Sequence, residues 1–136
     1  VFNSMNFKSI KISKQIELAL RWLIYLAQTD KLKFVSLRSF CDQTKTSFYY
    51  LQKINRALIK NNFVESKRGK NGGYRLKNNP KNISLLSVIE ALEGPLSLIN
   101  CSSRCNSSHC TLKSCWVGLT EDITLKLSRI KISQLV

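Results

Sequence analysis

One change of periodicity in the middle of the chain leaves few folds open. From Ser47 to about Asn61, Phe48, Leu51, Ile54, Asn55 and Leu58 share one helical face, and Tyr49, Lys53, Arg56 and Lys60 share the opposite one. After Asn61 the helical spacing stops. Phe63 to Lys67 and Gly73 to Leu76 read as short extended runs around a turn in which Gly69, Gly72 and Gly73 tolerate positive φ. Upstream, Ser36 is placed to cap a short helix, "SLRSFCDQT", with Leu37, Phe40 and Cys41 inward, and Lys45 and Thr46 make a brief turn. A short helix, a tight turn and a second helix with a basic outer face meet the requirements of a helix-turn-helix. A hairpin carrying Lys67, Arg68, Lys70 and Arg75 directly behind it has the position and charge of a wing. The expected fold class is mainly α with a small β-hairpin wing: a winged helix-turn-helix plus a long C-terminal dimerisation helix.

The flanking segments fit that frame. Ser13 to Gln28 is a strong helix, with Ile16, Leu20, Leu23, Ile24 and Ala27 at helical spacing and Ser13 as its N-cap. Ser84 caps "SLLSVIEALEG", which Gly94 and Pro95 stop. A last helix runs from Leu112 to about Ile130, where Trp116, Leu119, Ile123 and Leu127 form a stripe that Leu112, Leu125 and Ile130 widen. So apolar a helix at the end of a small domain has little local core to join, and it reads as a partner helix for a homodimer. The division expected is residues 7–80 for the DNA-binding domain and residues 81–136 for a cysteine loop with the dimerisation helix.

Charge narrows the class of partner. Lysine and arginine total 22 against 8 acidic residues, a net charge of +14 in 136 residues. Such an excess suits a polyanion, because each neutralised phosphate releases counterions. An anionic membrane surface is the rival, but no run of 18 apolar residues exists to span a bilayer. The N-terminus shows no secretory signal pattern, so the reducing cytoplasm is the expected location.

Between the last two helices lies "CSSRCNSSHCTLKSC", holding four of the five cysteines: Cys101, Cys105, Cys110 and Cys115. An odd total disfavours a closed disulfide framework, and clustered thiols in a reducing compartment bind metal or act in redox chemistry. Thiolates are soft donors suited to iron and sulfide, and a loop lets several converge. A structural zinc site using His109, a cluster-free thiol switch and a degenerate loop stay open beside an iron–sulfur cluster. An enzyme is disfavoured: the chain has no CxxC motif, no acid–base pair and no nucleotide loop.

Together the segments "ELALRWLIYLA", "SFYYLQKINRALIKNNFVESKRGKNGGYRL" and "ISLLSVIEALEGPLSLINC" resemble the IscR/NsrR-type regulators, the Rrf-two family of bacterial winged-helix transcription factors. The similarity runs from about Phe7 to Leu135, and its most specific carriers are the "RGxxGGY" wing, Arg68 to Tyr74, and "IEALEGPL" followed by a cysteine loop. The resemblance implies a cytoplasmic, homodimeric transcription regulator on a palindromic double-stranded DNA operator, with no membrane partner. Many members carry an iron–sulfur cluster (2Fe–2S or 4Fe–4S) on three loop cysteines; by position these are Cys101, Cys105 and Cys110. Cys115 falls on the helix and is set aside as a ligand. The intervals of three and four residues between these cysteines are shorter than is usual in the family, which leaves the cluster type open. The histidine that follows the third cysteine in IscR-like members is missing from "TLKS"; in other members a carboxylate of the partner's first helix completes the site, and Glu17 in "IELALR" matches it.

DNA contacts carry over in the same way. Ser47, Tyr49 and Gln52 match recognition-helix positions that read bases, and Arg68 matches a minor-groove reader. Gln52 departs from the glutamate of IscR-like members; glutamine favours adenine where glutamate accepts from cytosine, so a different operator is expected. Lys45, Lys53, Lys67 and Lys70 would hold phosphates. Tyr50 and Leu51 match the family's "YL" pair and are expected in the core.

Overall fold

The computed structural model describes residues 12–99 and 110–136. Cys101, Cys105 and His109 lie outside them. The helices are α1 (Lys14–Gln28), α2 (Leu37–Thr44), α3 (Phe48–Lys60), α4 (Leu85–Glu93) and α5 (Thr111–Arg129), with a hairpin of β1 (Val64–Lys67) and β2 (Gly73–Leu76) between α3 and α4.

The expected caps start three of these helices. The hydroxyls of Ser13, Ser36 and Ser84 accept from the backbone N–H groups of Ile16, Ser39 and Ser87. Each satisfies an orphan donor of the first turn and contributes about 1 kcal/mol. The turn after α2 is made by Lys45 in the left-handed region, with φ 57°. α3 then begins at Phe48.

Trp22 is the centre of the core. It is fully buried on α1 and sits among Tyr25, Phe40 and Tyr74, with ring centroids 5.9, 5.2 and 6.5 Å away. Its indole N–H donates to Oδ1 of Asn55 on α3 at 2.9 Å. That bond explains why Asn55 can sit on the inner face of the recognition helix beside Leu51, Ile54 and Leu58. Leu20, Ile24 and Ala27, read from spacing as the core face of α1, only flank this core; Ala19, Trp22, Leu23 and Leu26 are its buried part. The expectation for Tyr50 is corrected: Leu51 is fully buried, but Tyr50 is 39% exposed. One helical step turns it 100° away from the face that Leu51 packs.

The hairpin is antiparallel, with Val64 opposite Leu76, Glu65 opposite Arg75, Ser66 opposite Tyr74 and Lys67 opposite Gly73. Val35, between α1 and α2, adds a single bridge to Tyr74 through bonds of 2.9 and 2.8 Å. A Cβ on Gly73 would stand 2.6 Å from the Val35 carbonyl oxygen, and φ there is 140°. Only glycine lets the wing strand approach so closely. At Gly72 a Cβ would meet the Lys67 carbonyl oxygen at 2.2 Å, so that glycine is required by space rather than by a positive φ.

The C-terminal half joins the same core at two points. Val88 on α4 and Ile132 beyond α5 are fully buried with the α1 and α3 residues. After α5 the chain turns back: Leu85 N–H donates to the Ile130 carbonyl at 3.0 Å, and Ile132 N–H donates to the Ile83 carbonyl at 2.9 Å. Along α5 itself no residue is buried. No helix of the described residues is long and apolar enough to cross a membrane.

Candidate nucleic-acid interface and cysteine site

Helix α3 presents the outer side of its first two turns to solvent. Ser47 occupies its N-cap with extended backbone, yet its hydroxyl makes no capping bond. The first-turn amides and the hydroxyl are thus available to an outside acceptor at the positive end of the helix. Tyr49 is 82% exposed, Gln52 is half-buried, and Lys53 and Arg56 are exposed. No acidic residue occurs in α3, and between Lys45 and Gly72 the one carboxylate in the sequence is Glu65. Phe48 links this face to α2, for the Arg38 guanidinium lies 5.7 Å above its ring centroid. Sequence patterning missed Arg38; the signal was a basic residue in the first turn of an otherwise uncharged helix start.

The wing carries Lys67, Arg68 and Lys70 exposed at its turn. Arg75 behaves differently from the other wing cations. Its Nε is paired with Glu65 Oε1 at 2.5 Å, and its guanidinium stacks 4.4 Å from the Phe34 ring centroid. It is committed within the molecule, so the cations left for an outside partner are the lysines and Arg68. The residues expected to read DNA from α3 and from the wing thus lie exposed on two elements, while their backbones are fixed by the Trp22 core and the Val35 bridge.

Of the three cysteines expected as ligands, Cys110 alone lies among the described residues. Cys110 is the N-cap residue of α5, half-buried, with its carbonyl accepting from Ser114 N–H at 3.1 Å and its sulfur making no cap bond. A free sulfur at the positive end of a 19-residue helix suits a thiolate donor. Cys115 is exposed one turn further along α5. Cys41, the fifth cysteine, is buried in α2; burial and the neighbouring Asp42 carboxylate push its thiol up, and Arg38 pulls it partly back. Glu17 stands exposed in the first turn of α1, paired with Arg21 at 2.7 Å. An exposed i,i+4 pair is worth about 0.3–0.5 kcal/mol, too little to withhold the carboxylate from a metal. Among the described residues no group of three His, Cys, Asp or Glu converges to hold a metal ion. The donor types nevertheless suit iron: a free sulfur on a helix end as a soft donor and an accessible carboxylate as a hard one.

Where the start of α1 meets α4 and α5 there is an apolar hollow of about 280 Å³, lined by Ile12, Ile16, Ile89, Leu98, Ile123 and Leu127 among others. Above it the Ser13 hydroxyl donates to the Glu93 carboxylate, tying the start of α1 to the end of α4. The start of the DNA-binding half therefore shares a seam with α4 and α5, the helices that flank the cysteine segment.

Comparison with known proteins agrees with this layout. The profile of the Rrf2 family, described as an iron-dependent transcriptional regulator, matches residues 12–136. The HTH-type transcriptional regulator NsrR of Shouchella clausii is 32% identical over 95 residues, which are 70% of this chain and 64% of that protein. The chain thus spans less than two thirds of that relative. NsrR of Bacillus licheniformis is 32% identical over 76% of this chain and 71% of its own length. Among solved structures, CymR (YrzC), the global cysteine regulator of B. subtilis, superposes with a TM-score of 0.81 at 26% identity, covering 93% of this chain and 96% of that one. IscR of T. potens superposes with a TM-score of 0.79 at 28% identity, over 93% and 86% of the two chains.

Proposed function

The chain belongs to the Rrf2 family of transcriptional regulators, and from that membership we propose that it binds an operator as a homodimer under the control of an iron–sulfur cluster, and is not an enzyme. The observation that carries the DNA reading is the outer side of the N-terminal half of α3: a Ser47 without a capping bond, a protruding Tyr49, and Gln52 and Lys53 beside them, next to a wing whose Lys67, Arg68 and Lys70 are exposed. Ser47, Tyr49 and Gln52 read base edges in the major groove, and Arg68 enters the minor groove. Lys45, Lys53, Lys67 and Lys70 hold phosphates, which fix register without reading sequence. The operator is palindromic because a two-fold dimer presents two equal helices. The working place of such a protein is the cytoplasm.

The dimer reading rests on α5. Leu112, Val117, Leu119 and Leu125 are each more than 40% exposed on one 19-residue helix in which nothing is buried. Apolar side chains repeated along a helix seek cover from water, at about 25 cal/mol per Å² buried. The division at residues 80 and 81 then separates the part that reads DNA from the part that pairs and senses, although both contribute to one core.

The cluster would be held by Cys101, Cys105 and Cys110, with the partner's copy of Glu17 as fourth ligand. When bound, a cluster of either the 2Fe–2S or 4Fe–4S type supplies a centre sensitive to redox state and to small ligands. The protein's own share is mechanical. Cys110 is the N-cap residue of α5, so tension on the loop acts on that helix. The Ser13–Glu93 bond and the hollow beneath it carry the displacement to α1. Since α1 holds α3 through the Trp22–Asn55 bond, the spacing of two recognition helices follows. Anaerobically purified protein should contain iron and sulfide and absorb visible light. Cys101→Ala, Cys105→Ala and Cys110→Ala should each remove that absorption, Cys115→Ala should keep it, and Glu17→Ala should shift it. Stoichiometric zinc in place of iron defeats the cluster assignment.

A further inference from the structure

The outer face of the wing carries a groove that the roles above use only at Lys67 and Lys70. It is about 690 Å³ in volume and is formed by Lys33 and Phe34 from the α1–α2 linker with Lys67, Lys70, Gly72 and Arg75 from the hairpin. Four of its eight lining residues are basic and none is acidic. Of the acids beside it, Glu65 is already bound to Arg75, and Asp30 accepts from the Leu32 backbone N–H. Phe34 is the floor: Arg75 stacks on it at 4.4 Å and the Lys67 ammonium lies 5.7 Å from its centroid. The linker is joined to the wing here by the two Val35–Tyr74 backbone bonds, so Lys33 is held at the hairpin rather than swinging from a free loop.

We propose that this groove takes the phosphodiester backbone of operator DNA alongside the minor groove entered by the wing, and that Lys33 is a further phosphate-contacting residue. Three features carry the inference. The charge is of one sign, with three lysines left after Arg75 is neutralised. Lys67 and Lys70 belong both to the groove and to the proposed wing interface, so the basic surface continues without a break from the wing turn to the linker. Ammonium groups on flexible stems around an open hollow suit a line of phosphates, which asks for point charges and not for fixed geometry. The inference rests on the operator-binding reading of the wing and extends its footprint to a fourth element.

The test uses the full chain and a duplex that the protein itself selects from a random pool, with affinity measured from 50 to 200 mM salt. Each phosphate contact contributes about 0.9 to the slope of log affinity against log salt, or about a threefold change over that range. Lys33→Gln should lower the slope by about one contact while leaving the ranking of duplex sequences unchanged. Lys33→Gln, Lys67→Gln and Lys70→Gln combined should lower it by about three contacts. Lys126→Gln, the same charge change made on α5, should leave the slope where it was. An unaltered slope for Lys33→Gln overturns the proposal. So does an NMR titration in which inorganic phosphate alone fills the groove while the slope stays unaltered, which assigns it to a small anion. If the unmodified protein selects no sequence from the pool, the regulator reading itself fails; if it selects one and Lys33→Gln behaves as the unmodified protein does, only the groove fails.

Discussion

Helices α3 and α5 make opposite use of apolar residues. In α3, Leu51, Ile54, Asn55 and Leu58 are buried and the polar face is left to solvent. In α5, a helix six residues longer, nothing is buried and Leu112 is 63% exposed. The first helix is complete within one chain, because α1 and the hairpin cover it. The second is held by α4 along one side and by the returning segment 130–132, and its apolar surplus faces outward. A reader of DNA needs a rigid, self-sufficient frame. A sensing and pairing element is expected to be finished only by its partner and its cofactor.

The contrast can be broken most severely in the reading half. Trp22→Ala removes the largest fully buried side chain and the donor to Asn55. It should destabilise the fold by about 3–5 kcal/mol in urea unfolding. Asn55→Leu keeps the branching of the side chain but strands the indole N–H, and should lose about 2 kcal/mol. On the other side of the comparison, Leu119→Ala should change monomer stability by less than about 0.5 kcal/mol, as at an ordinary surface position. The same variant should raise the dissociation constant of the dimer in sedimentation at least tenfold, and an equal loss in both measurements would erase the distinction. Ser36→Ala should cost about 1 kcal/mol through the lost cap of α2.

The smallest effect sharpens the comparison by pH. The Cys41 thiol is raised from its usual 9.0, first by burial and then by Asp42. The folded state therefore keeps its proton where the unfolded state has lost one. Its contribution is fully present below pH 9 and is lost as pH rises from there through the folded-state value. Unfolding followed above pH 9 should show a decline that Cys41→Ala flattens.

Most of the frame was legible because it was written locally. The serine caps, the glycine turn and the one-sided patterning of α3 each act within a few residues, so the elements fall where spacing puts them. Trp22 was not read as the centre because its partners, Asn55, Phe40 and Tyr74, come from three other elements. The Val35 bridge and the Phe34–Arg75 stack are likewise long-range, and hid both the internal commitment of Arg75 and the groove beside it. Tyr50 misled because the residue next to a buried leucine takes its environment from helix rotation, not from that neighbour. At the cysteine site, the family resemblance suggested the ligand set, and Cys110 at the head of α5 is the member for which a position can be given; Cys101 and Cys105 lie outside the described residues.

The most direct measurement is operator affinity of anaerobically purified protein, compared with the Cys101→Ala, Cys105→Ala, Cys110→Ala triple variant. The reading half should fold unchanged in the variant, by circular dichroism and urea unfolding, while its affinity for the selected duplex shifts at least tenfold and stops responding to oxidants or chelators. Equal affinity of the two proteins under every redox condition would contradict control of the operator by the cysteine loop.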